Sequence, residues 1–129
     1  MAIPLQSLSG TEVLRRGGVK ELSNNWTSIK WDNTFGAQNE QGHTVPTNHI
    51  IIVTSVTFCE QGNANEYVHM WVNTNSQDHH IFHTQAINAY STFIWADKFV
   101  LVGGDKLAVV ATTSANIDVW VNYIDQSWV

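Results

Sequence analysis

The chain is short of charge, of cysteine, of proline and of long apolar runs. Asp, Glu, Lys and Arg make up 13% of 129 residues, about half the share of an average soluble domain. So little charge beside six tryptophans leaves two readings of the exterior. Part of it is apolar and goes into a partner, or it is covered by Ser, Thr and Asn. The single cysteine, Cys59, excludes an intrachain disulfide. It follows the apolar run ending at Phe58, where a free thiol is expected as a small buried hydrophobe rather than a nucleophile. No apolar run approaches the ~20 residues that cross a bilayer as a helix. Residues 1–20 contain no continuous apolar core, so neither a membrane partner nor a secretory leader is expected. Also missing are a Gly-x-Ser-x-Gly elbow, a P-loop and a Gly-x-Gly-x-x-Gly fingerprint, which removes the most legible enzyme classes.

The charge that is present is unevenly placed. The net charge is −5. Residues 1–31 carry +2, from Arg15, Arg16, Lys20 and Lys30 against Glu12 and Glu21, and the remainder carries −7. A basic leading segment on an acidic body suits docking onto an acidic neighbour. Nucleic acid is not expected as a partner, because no basic stripe with interleaved aromatics is present.

Periodicity favours strands throughout. His49–Cys59 is dense in β-branched residues. Alternation assigns Ile50, Ile52, Val56 and Phe58 to one face and His49, Ile51, Val53, Ser55 and Thr57 to the other, with Thr54 interrupting the first. Further strands are expected at Trp26–Trp31, Tyr67–Val72, His79–Gln85, Ser91–Ala96, Phe99–Leu101, Leu107–Ala111 and Ile117–Ile124, separated by Asn-, Gly-, Ser- and Asp-rich turns. Eight or so short strands with no 3.6-residue period point to one all-β domain over residues 25–129, an antiparallel β-sandwich or jelly roll. Residues 1–24 read as an N-terminal arm. Ser9-Gly10-Thr11-Glu12 fits a helix capping box, and Gly17-Gly18 would stop a helix of one or two turns. The arm is either a disordered lead or a segment that orders on a neighbouring subunit.

In the last strand, Ile117, Val119, Val121 and Tyr123 share the face expected to join Leu107, Val109 and Ala111 in the core. Trp120 and Ile124 then stand on the other side, together with Ile51 and Val53 of the earlier strand. Either an oligomer interface or the chain's own loops and arm must cover them. The interface residues expected are therefore Leu5, Leu8, Leu14, Arg15 and Arg16 from the arm and Trp120 and Ile124 from the body.

Chemistry is thinly signalled. His79, His80 and His83 form a cluster with Asp78 before them; His79 and His83 share a strand face but lie about 13 Å apart at ~3.3 Å per residue. They are not expected to grip one metal ion, and His43, His49 and His69 are too far apart in sequence to read as a site. Asp32, Glu60, Asp78, Asp97 and Asp105 are expected in turns, where local backbone hydrogen bonding accounts for Asp. No catalytic residue, metal or cofactor is expected. The tryptophans leave a second reading, a stacking platform for sugars with loop amides as hydrogen-bonding partners, which expects the exposed tryptophans in loops.

One resemblance adds to this. A strand (Phe99-Val100-Leu101) leads to a Gly104-Asp105 turn and Leu107 with alternating apolar residues. A small polar turn (Ser114-Ala115-Asn116) and the strand Ile117–Tyr123 complete the pattern. It resembles small tailed-phage virion proteins over roughly the last 80 residues, leaving the arm uncovered. The resemblance implies a β-sandwich virion component, often trimeric, that decorates or cements a capsid or builds neck, tail or fibre parts. A non-enzymatic protein assembled in the host cytoplasm is expected, with itself and the major capsid or other virion proteins as partners.

Overall fold

Strand-forming residues dominate wherever the chain is regular. The computed structural model describes residues 10–113 and 116–128, and Leu5 and Leu8 lie outside them. The strands are β1 (Gly10–Val19), β2 (Thr27–Ser28), β3 (Phe35–Gly36), β4 (His49–Glu60), β5 (Glu66–Thr74), β6 (Gln77–Ile87), β7 (Thr92–Trp95), β8 (Phe99–Val102), β9 (Lys106–Ala111) and β10 (Ile117–Trp128). They form two sheets. The larger runs β3-β1-β10-β4-β7 with β8 also on β4, and the smaller runs β2-β9-β5-β6. All pairings are antiparallel except the short β1–β3 contact.

The core lies between the sheets. Ile117, Val119, Val121 and Tyr123 from β10 meet Leu107, Val109 and Ala111 from β9, and all seven are buried. Phe58 of the larger sheet packs edge-on against Phe82 of the smaller at 5.6 Å between ring centres. Such close interdigitation of two inner faces is what an all-β domain uses to exclude water. The Gly103-Gly104-Asp105 turn is closed by the Val102 amide donating to Asp105 Oδ2 (2.9 Å) and the Asp105 amide donating to Val102 O (3.0 Å). Gly104 supplies φ +92° there, a conformation open chiefly to glycine.

Two expectations are corrected. Residues 10–19 are not a helix on a separate arm. They are β1, paired with β10 over ten consecutive residues, from Gly10 opposite Trp128 to Val19 opposite Val119. The local capping signal loses because β10 offers a full ladder of backbone hydrogen bonds and a helix of that length has nothing to stabilise it. The second correction concerns β4. Asn122 pairs with Ser55 and Tyr123 with Val53, so Thr54 is an extra residue in the ladder. This bulge reverses the alternation. Ile51 and Val53 face the core together with Val56 and Phe58, all four fully buried. They do not belong to the outward surface, whereas Ile50 and Ile52 do.

Candidate functional site

The outward side of the larger sheet carries apolar residues in rows that cross several strands. Register places Val100 beside Ile52, Ile52 beside Ile124, and Ile124 beside Leu14. That is one continuous apolar row over β8, β4, β10 and β1. A second row runs Ile94, Thr57, Trp120, Gly18, Phe35. Leu14 is 80% exposed, Ile94 57%, Val100 58% and Trp120 43%. Isolated exposed hydrophobes need no explanation, but rows of them on one sheet face do.

Trp120 is held in place. Its indole N–H donates to Asn122 Oδ1 at 2.9 Å, and its ring centre lies 4.9 Å from that of Phe35. The Arg16 guanidinium lies over both rings, at 5.4 and 5.6 Å, a cation–π arrangement that keeps the charge at the surface while its stem covers apolar area. Beside them is a hollow of about 440 Å³ lined by Val19, Lys20, Phe35, Thr57, Cys59, Asp118, Val119 and Trp120. Cys59 is thus half-buried on the outer face rather than part of the core.

Of the expected interface residues, Leu14, Arg16, Trp120 and Ile124 stand on this one face. Arg15 does not. The pleat turns it inward, where its Nε lies 3.3 Å from Asp125 Oδ2, and Asp125 Oδ1 is 2.7 Å from His49 Nδ1. Asp125 is buried, and removing Arg15 would take away a charged partner from it. Arg15 is thereby occupied structurally. Nearby, burial raises the Tyr123 hydroxyl above its ordinary pKa, and the hydroxyl accepts a hydrogen bond from the Asn33 amide at 3.1 Å.

Sequence spacing misjudged the histidines. Pairing in the β5–β6 hairpin shifts register around Met70, and Thr84 adopts φ +60°. The irregularity gathers His69, His80 and His83, with ring centres 4.3 Å apart for His69–His83 and 5.1 Å for His80–His83. His79 pairs opposite Val72 instead. Among the described residues no group of three or more His, Cys, Asp or Glu side chains is placed to hold a metal ion. The His69 pKa lies below its ordinary value, first because burial disfavours the cation and then because His83 and His80 repel it. The Thr84 amide donates to His69 Nδ1 at 3.1 Å, so the neutral ring with its proton on Nε2 is the form the fold uses. A histidine whose folded pKa is lowered contributes stability when neutral. Unfolding midpoints should therefore fall as pH drops below 6.5, the ordinary value, because the unfolded chain takes up a proton the folded chain resists. His69→Asn, which keeps an acceptor for Thr84, should flatten this dependence in denaturant titrations at stepped pH.

The tryptophans also differ from expectation. Trp120 and Trp128 are exposed on β10, not in loops, and Trp31 is buried. Trp26 and Trp71 are half-buried on the smaller sheet's side.

Fold and surface together define a class: an all-β sandwich that presents an ordered apolar face on its larger sheet. No protein-family description and no curated protein matches the chain.

Proposed function

We propose that this protein is a non-enzymatic structural component of a phage particle, an oligomeric decoration or cement protein that stabilises the capsid. The observation that carries the reading is the row Val100–Ile52–Ile124–Leu14, a strip of apolar side chains crossing four strands. A face of this kind is best satisfied by another copy of the chain, and the resemblance of the last 80 or so residues to phage virion proteins supplies the particle and the three-fold habit. Arg16 at the border of the face, and the basic balance of residues 1–31, suit a second contact with an acidic shell protein.

Residues 1–9, with Leu5 and Leu8, precede β1 in the chain. Removing residues 1–24 would delete β1 and uncover the edge of β10, so that truncation tests folding and not docking. Light scattering on the intact chain should give a multiple of the 14.5 kDa chain mass, with three as the expected multiple. Deletion of residues 1–9 should preserve that assembly while lowering its occupancy on purified particles. A monomer at tens of micromolar, or full occupancy after the deletion, would count against the respective halves of the proposal.

A further inference from the structure

We propose that the outward side of the smaller sheet binds a sugar, with one pyranose ring seated against Trp26 and Trp71. This site lies on the opposite sheet from the apolar rows, so it stands or falls separately from the docking reading.

The site is built by register. Trp71 on β5 lies beside Ala108 on β9 and His80 on β6. Ala108 is fully buried, and its small side chain lets larger neighbours close over it. Trp26 enters that side just before β2, its carbonyl accepting a hydrogen bond from Gln41 Nε2 at 3.0 Å. The two indoles stand 6.1 Å apart at 55°, and His80 lies against Trp71 at 5.4 Å and 35°. Trp71 is thus oriented before any ligand arrives, which lowers the entropy lost on binding.

Two residues further along the strands, Lys106, Asn73 and Asp78 form the next outward row. Asn73 Nδ2 donates to Asp78 Oδ1 at 2.7 Å. This fixes the amide and leaves Asn73 Oδ1 and Asp78 Oδ2 as acceptors. Lys106 Nζ lies 5.7 Å from the centre of the Trp26 ring and supplies donors. These five side chains line a hollow of about 200 Å³, below the ~300–1,000 Å³ of pockets for drug-sized ligands.

An apolar aromatic wall beside a short row of donors and acceptors matches the two sides of a pyranose. Its C–H face stacks on indole, and its hydroxyls both donate and accept. Other aromatic-seeking ligands fit less well. A foreign quaternary ammonium would meet the chain's own ammonium, Lys106 Nζ, 5.7 Å from the centre of the Trp26 ring, and like charges repel. A nucleic acid strand would bring phosphates to Asp78 and to a body of net charge −7 over residues 32–129.

The test uses the full chain in its native assembly on an array of pyranoside glycans, followed by titration of tryptophan emission with the methyl pyranoside that binds best. Binding is expected. Trp71→Ala should abolish it, and Asp78→Asn, at an exposed position that leaves the fold intact, should weaken it about tenfold, the scale of one hydrogen bond to a charged group. Leu14→Asp, on the other sheet, should leave binding per chain unchanged. Failure of every pyranoside to bind above background, or wild-type affinity in Asp78→Asn and Trp71→Ala, would overturn the proposal.

Discussion

Gly18→Ala should lower the melting temperature by ten degrees or more, the largest stability effect expected from any single methyl group in this chain. A Cβ at residue 18 would lie 1.9 Å from Val119 O, 2.9 Å from Val119 C and 3.0 Å from Phe35 Cε2, with φ at +152°. The first two atoms are backbone of β10 and cannot move without breaking the ladder that joins β1 to β10. Left-handed strain alone costs on the order of 1–3 kcal/mol, and displacing a paired strand adds to it. A total above ~3 kcal/mol is a large part of the ~5–15 kcal/mol that holds a domain of this size folded. At a few degrees of Tm per kcal/mol, that gives about 10 °C or more. Gly42→Ala is the matched control, since nothing lies within 4 Å of its added carbon. Thermal melts followed by circular dichroism check both. A Gly18→Ala protein that melts with the wild type would mean that β1 does not hold this register.

Leu14→Asp should convert the proposed assembly to monomers without unfolding the chain. Leu14 is 80% exposed, so within one chain its side chain buries almost nothing and its replacement has little to destabilise. In an interface built on the Leu14–Ile124–Ile52–Val100 row it would be covered. There the substitution removes roughly 1.5–3 kcal/mol of apolar burial and adds the several-kilocalorie cost of desolvating a carboxylate without a partner. Association should weaken at least ~100-fold, since every 1.4 kcal/mol is a factor of ten. Light scattering over a concentration series reads the mass, and circular dichroism reads the fold. Tyr67→Asp is the control: Tyr67 is 46% exposed and lies on β5 of the other sheet. A Leu14→Asp protein with unchanged mass would remove the apolar face from the assembly and with it the main support for the structural reading.

The two faces of β10 were legible without coordinates because alternation along an unbroken strand is a local property. Val119, Val121 and Tyr123 went to the core and Trp120 and Ile124 to the outside, as the period of two requires. The same reasoning failed on β4. Thr54 looks in sequence like a polar interruption of one face. It is an inserted residue that swaps the faces, and only pairing with Asn122 and Tyr123 distinguishes the two. Gly17-Gly18 gave a similar ambiguity. Two glycines after a capping signal suggest the end of a helix, yet Gly18 is required because β10 and the Phe35 ring crowd its Cβ position. The place of His69 in the histidine cluster was invisible for the related reason that a register shift between strands, not spacing along one, brings His69 to His80 and His83.

By itself the sequence determined an all-β chain, its core positions on β9 and β10, and the outward placement of Trp120 and Ile124. Strand propensity, turn residues and alternation act over a few neighbours and need no partner to be read. Tertiary structure alone decided that residues 10–19 belong to the sheet, that Arg15 turns in to Asp125 while Leu14 and Arg16 turn out, and that Trp26 meets Trp71 beside Asn73, Asp78 and Lys106. Each of these depends on which strand lies beside which and in what register. That is set by the summed burial and hydrogen bonding of residues more than a hundred positions apart, as for Gly10 and Trp128.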